Sequence, residues 1–251
     1  MANTVNQKDS ANRTAHVIDG VINEWKIDKF ETDLETQVLY SVDNDANNLY
    51  LAMKIPNQQT QMKMMTLGMT LYLDKKGKKR EGTGIEFPIK REGGGGGFRG
   101  GGDQAQGGRA PDPKAMRDRL ANMMIFLKSF GFDDQEDKSQ LIAVQNSINI
   151  AFEWDDANTL YIEYLVPLSF MGGQVALTGK PLGIGWRINR LDAPQPTPTV
   201  VTTTLVGVPA GSGGRSDGGR NPASFGRDIF AGTNSNTSKV QSFWTKYTLH
   251  F

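Results

Sequence analysis

The chain contains no cysteine and only two histidines, His16 and His250. The first absence removes disulfides, thiolate metal sites and cysteine nucleophiles. The second leaves almost no imidazole for general acid–base work. Long apolar runs are missing as well. No stretch approaches the roughly 20 residues that a transmembrane helix needs, so a membrane-spanning chain is not expected. Nor is there charge of one sign: 28 Lys and Arg against 27 Asp and Glu give a formal net charge of +1. That balance does not call for nucleic acid or an anionic membrane surface as a partner. The opening MANTVNQKDSANRTAH has no apolar h-region, so as it stands it is not a signal peptide. Either the chain is cytoplasmic or a leader was removed. Zinc-protease and phosphate-loop motifs are also absent.

What is present is a series of short apolar segments separated by turn residues. Residues 1–14 are polar and aperiodic and read as a flexible arm, with one domain over 15–251. Val38–Val42 and Asn48–Ile55 flank the Asx-rich Asp43–Asn47 and predict a hairpin. Leu67, Met69, Leu71 and Leu73 alternate onto one face, as do Ile148, Ile150 and Phe152. Ile184, Trp186 and Ile188 form a third such set, with Arg187 and Asn189 on the opposite side. Residues 57–65 read as one or two helical turns. His16 and His250 both fall in expected strands, and pairing of those strands would make them neighbours.

Two insertions, 92–131 and 192–239, interrupt the pattern. Their Gly-rich tracts cannot bury a core, and loops of such length are functional or disordered. Within the first, Asp112 and Pro113 predict a helix start. Met116, Leu120, Met123 and Leu127 then share one face, Lys128 lies in the last turn, and Gly131 ends the helix. Nine or ten short strands with one inserted helix predict an all-β fold. We expect a two-layer antiparallel β-sandwich with Greek-key or jelly-roll connections.

For chemistry, the carboxylates pick out no acid–base pair, so a non-catalytic chain is expected. Asp43 and Asp45, with Asp74 from a neighbouring strand end, offer the hard oxygens that calcium takes. The alternative is an Asx turn that spends those oxygens on local N–H groups. No other cofactor is indicated. A sugar needs a flat apolar face with polar groups at its rim. Trp154, at a strand end beside a polar turn, is the best exposed candidate. Trp186 is a second, with a core role as its alternative, and Arg187 and Asn189 are candidate hydrogen-bonding partners. The basic tip Lys75–Arg80 reads as a solvated turn.

The order of segments resembles carbohydrate-binding module family 9, and with it the DOMON and dehydrogenase haem-subunit group of β-sandwiches. The resemblance lies in Ile18-Asp19-Gly20 with Glu24-Trp25, Val38–Asp45 followed by Leu49-Tyr50-Leu51, and Leu71-Tyr72-Leu73-Asp74. It continues in Trp154 with Leu160-Tyr161-Ile162-Glu163 and Val166-Pro167-Leu168, and in Phe243-Trp244-Thr245-Lys246. It implies a carbohydrate-binding sandwich and a periplasmic or secreted setting. A haem or metal role for the histidines would follow from the related group. A structural subunit of a cell-envelope complex, docking an envelope protein through the Gly-rich loops, is the other expectation.

Overall fold

The computed structural model describes residues 16–89, 113–122, 124–133, 135–189 and 240–251. Residues 1–14 and the Gly-rich parts of both insertions lie outside these. The expectations of a flexible arm and of docking loops therefore fall on residues not described.

Among the described residues, eleven strands form two sheets, and every pairing is antiparallel. The first sheet joins β1 (Glu31–Thr32), β2 (Leu39–Asn44), β3 (Asn48–Ile55), β9 (Leu160–Pro167) and β8 (Asn149–Trp154), in that order. The second joins β11 (Gln241–Thr248), β10 (Pro181–Ile188), β4 (Met69–Asp74), β5 (Gly84–Glu86), β6 (Phe126–Phe130) and β7 (Lys138–Leu141). The chain changes sheet between β3 and β4, β7 and β8, and β9 and β10. This is the all-β sandwich expected from the alternation.

Register explains the core. Leu49, Leu51, Met53 and Ile55 stand opposite Val166, Tyr164, Ile162 and Leu160. Met69, Leu71 and Leu73 stand opposite Ile188, Trp186 and Ile184. All of these side chains are buried, and they form the inner faces of the two sheets. Aromatic rings join the layers: Trp186 lies 5.1 Å from Tyr40, and Phe87 lies 6.4 Å from Tyr164. A period of two puts each apolar set on one side of its strand, and only a second sheet can then remove it from water.

Among the described residues, three α-helices edge the sandwich. α1 spans Gln58–Leu67 and is capped by Asn57, whose side chain accepts the Thr60 N–H at 3.1 Å. α2 spans Pro113–Ala121 and α3 spans Gly173–Leu177. The structure corrects the expected extent of α2. The helix stops six residues before Leu127, and Leu127 and Lys128 lie in β6. Leu127 and Ser129 are buried there, while Phe126 and Lys128 are exposed. Pairing with both β5 and β7 holds this period of two and overrides the helical spacing. The side chains of Met116, Leu120 and Met123 fall outside the described residues.

The outer face of the first sheet is not left to solvent. Residues 16–30 cross it without forming a strand. Trp25 packs on Tyr50 and Ala52, joined by Ile18, Ile22, Phe30 and Leu165. Beneath it, fully buried Glu163 accepts three hydrogen bonds: from the Trp25 indole N–H at 2.7 Å, the Gly20 N–H at 2.8 Å and the Asp19 N–H at 3.2 Å. Gly20 has φ +88°, and a Cβ there would stand 2.7 Å from the Phe152 carbonyl carbon, so no other residue fits this crossing. The expectation of strands at His16 and His250 is thereby corrected. The segment around His16 gives its backbone donors to a side chain instead of a ladder, and His250 lies beyond the end of β11.

Burial pushes the Glu163 carboxyl above its ordinary pKa, against the pull of its three donors. Replacing it by alanine leaves buried N–H groups unpaired. We expect Glu163→Ala to lose about 3 kcal/mol of folding free energy. Urea titration measures the loss, and a red shift of the Trp25 emission should accompany it.

Candidate functional site

The N-terminal crossing segment, β2 and β11 together enclose a cleft of about 540 Å³. That volume lies within the roughly 300–1,000 Å³ of ordinary ligand sites. Each wall has a different origin. Glu24, Trp25, Lys26, Lys29 and Glu31 come from the crossing segment and β1, Tyr40 to Asp43 from β2, and Thr245 to Tyr247 from β11. His16 and His250 also line it. β1 covers β2 only at Leu39 and Tyr40, so Ser41–Asp43 form an edge facing the cleft.

The walls are held by a polar seam between the sheets. Asn44 donates to the His250 carbonyl at 2.8 Å and accepts from the His250 N–H at 3.0 Å and the Tyr247 hydroxyl at 2.9 Å. His16 stacks on Trp25 at 4.0 Å, and its Nε2 pairs with Asp43 at 3.2 Å. Tyr40 donates to Glu31 at 2.7 Å. Burial, with that bond second, pushes the Tyr40 phenol up to about 12, so it remains a donor at neutral pH. Glu24 accepts the Val17 N–H at 3.0 Å. The cleft thus combines aromatic rings, both signs of charge and a polar rim.

None of the side chains named from sequence as sugar contacts lies on this cleft. Trp186 is 1% exposed and stacks on Phe243 at 5.0 Å, so it is a core residue and not a ligand platform. Trp154 is half-buried at the end of β8. The Arg117 guanidinium covers its ring at 5.3 Å, and its indole donates to Gln61 at 3.0 Å. Arg187 stands on the outer face of the second sheet, over the Tyr72 ring and paired with Glu81. Asn189 lies just beyond β10, where its N–H donates to the Gly68 carbonyl at 3.1 Å. These four do not converge, because β8 and β10 belong to different sheets.

The three candidate calcium ligands do not converge either. Among the described residues no group of three His, Cys, Asp or Glu could hold a metal ion. Asp45 accepts the Asn47 and Asn48 N–H groups, both at 2.7 Å, and the Tyr50 hydroxyl at 2.6 Å. Asp74, in the other sheet, accepts the N–H groups of Lys76, Lys78 and Arg80 at 3.0, 2.6 and 3.2 Å. Asp43 accepts from His16 and from the Asn44 N–H. The Asx-turn alternative describes Asp45 and Asp74. The structure does bring His16 and His250 to one cleft, although by loops and not by paired strands.

Sequence reasoning missed Tyr40, Tyr247 and the cleft lysines. Their shared wall depends on how residues near 16–31 and near 245–250 meet, and no local spacing carries that information.

No family model and no curated protein matches the chain. Among solved structures it is similar to a carbohydrate binding module family 9 (CBM9) from Caldicellulosiruptor kristjanssonii in complex with glucose. That similarity has 10% identity and a TM-score of 0.34, covering 72% of this chain and 76% of the other. A CBM9 structure from the same organism in complex with cellotriose is similar at 10% identity and a TM-score of 0.34, covering 70% and 73%. Likenesses this distant place no ligand on this chain, and the sandwich stands on its own strand pairing.

Burial acts to raise the Asp45 carboxyl, but its hydroxyl and N–H donors outweigh burial and hold it below the ordinary value. A depressed folded-state pKa contributes stability that is present above the unfolded pKa. That stability is lost as pH falls through the folded value. Asp45→Asn should therefore lower the melting temperature at pH 7 and flatten its fall on the acid side of pH ~4. A chelator should leave the wild-type melt unchanged.

Proposed function

We propose that this chain is a non-catalytic carbohydrate-binding β-sandwich that works outside the cytoplasm. The observation that carries this reading is the cleft, where the half-buried Tyr247 ring meets donors and acceptors of both kinds. A pyranose presents flat C–H faces and a rim of hydroxyls that donate and accept, and such a wall answers both needs. The size suits a short oligosaccharide end.

Binding without turnover is supported by the placement of the acids. Among the described residues Glu163 is the carboxyl with a raised pKa, and it lies under Trp25 and not on the cleft wall. The cleft carboxylates Glu24, Glu31 and Asp43 each accept a hydrogen bond from the protein. The extracytoplasmic setting belongs to the same proposal, since polymeric glycans are met there.

Titration with a panel of neutral and acidic oligosaccharides should change the emission of Trp25, which lines the cleft. Tyr247→Ala should weaken binding about tenfold while keeping the β circular dichroism spectrum, and Trp154→Ala should bind as the wild type does. Silence across the whole panel would remove the proposal. Fractionation of the native host checks the setting, and recovery in the cytoplasm alone would overturn that part.

A further inference from the structure

The cleft is unequal in what its charged groups already do. On the acidic side, Glu31 is bonded by Tyr40, Glu24 by the Val17 N–H, and Asp43 by His16. On the basic side, Lys26, Lys29 and Lys246 are exposed on the cleft wall. Among the described residues no side chain or backbone group bonds or pairs with their ammonium groups. An ammonium group carries three donors and no acceptor. Three of them around one opening leave the cleft with donors to spare, while its carboxylates are drawn back onto the protein.

The imidazole on this wall is already committed. The His16 side chain is 9% exposed, and its Nδ1 is buried without a hydrogen-bond partner. Nε2 is taken by Asp43, and the ring face by Trp25. With Nε2 and the ring face occupied and Nδ1 shut off from solvent, His16 offers the cleft no further donor, and the lysine ammonium groups remain.

We infer that the cleft selects saccharides carrying an anionic substituent, a uronate carboxylate or a sulfate ester, seated among Lys26, Lys29 and Lys246. The inference rests on the carbohydrate-binding reading and specifies its ligand class. Lys26 precedes and Lys29 ends a single 3-10 turn (Ile27–Lys29) on one side of the opening, and Lys246 stands in β11 on the other. An anion between them is approached from two walls. Net charge over the whole chain is near zero, so the selectivity is a local property of this cleft and not a long-range field. Contacts at exposed ammonium groups are individually weak, about two- to fivefold each, and three together give about tenfold or more.

The experiment is calorimetric titration of the full chain with three probes: trigalacturonate, a sulfated galactan tetrasaccharide and neutral cellotriose. Each is run in low salt and in 0.5 M NaCl. A triple variant, Lys26→Gln with Lys29→Gln and Lys246→Gln, is run alongside. All three positions are exposed, and its melting curve checks that it folds. At least one acidic probe should bind about tenfold more tightly than the neutral one. Salt should erase that margin. The triple variant should lose the margin without weakening neutral binding. Which acidic probe responds tells uronate from sulfate ester. Equal or tighter binding of cellotriose overturns the inference and leaves the carbohydrate-binding reading standing. So does an acid preference that the triple variant retains. If no saccharide of any kind binds, both fall together.

Discussion

A single buried carboxylate governs how this sandwich presents itself. Glu163 stands on the outward face of β9, where a sheet would ordinarily show a solvated side chain. Instead it is fully buried, and it receives an indole and two backbone N–H groups from a segment more than a hundred positions earlier. An unpaired carboxylate at that depth would be costly. The bond set therefore fixes Trp25 and Gly20 against the sheet, Trp25 in turn fixes His16, and the near wall of the cleft follows. The site thus depends on an electrostatic anchor on the sheet's back, not on the apolar core between the layers.

The two sheets were legible because alternation is a local signal. β3, β9 and β10 each carry an apolar set at every second position, and no reading other than a half- or fully buried strand accommodates it. Leu127 misled for a related reason. Its spacing from Met116, Leu120 and Met123 suits a helix, but β5 and β7 supply partners on both sides, and tertiary pairing decided the outcome. The crossing segment was opaque because its backbone donors go to a side chain. A run such as Val17-Ile18 looks like a strand until the sheet it lies across is known.

Tryptophan position was readable only in part. Trp186 alternates with Ile184 and Ile188, and it lies inside as that pattern implies. Trp154 sits next to a polar turn, which suggests exposure, yet Arg117 closes over its ring. Trp244 lies flat across Gly185, where a Cβ would approach its ring to 2.5 Å, and stacks beside Tyr72. The Asx-rich turns illustrate a general economy of small folds. One carboxylate satisfies several N–H groups at once, and Asp45, Asp74 and Asp155 each close a turn in this way.

The Asn44 seam joins positions separated by 206 residues. Until the closing strand reaches β10, the far wall of the cleft does not exist, whatever the state of the rest of the sandwich. The cleft is therefore completed only once residues 206 positions beyond Asn44 have been synthesised. A chain cut short before β11 would carry most of the core and only one wall of the cleft.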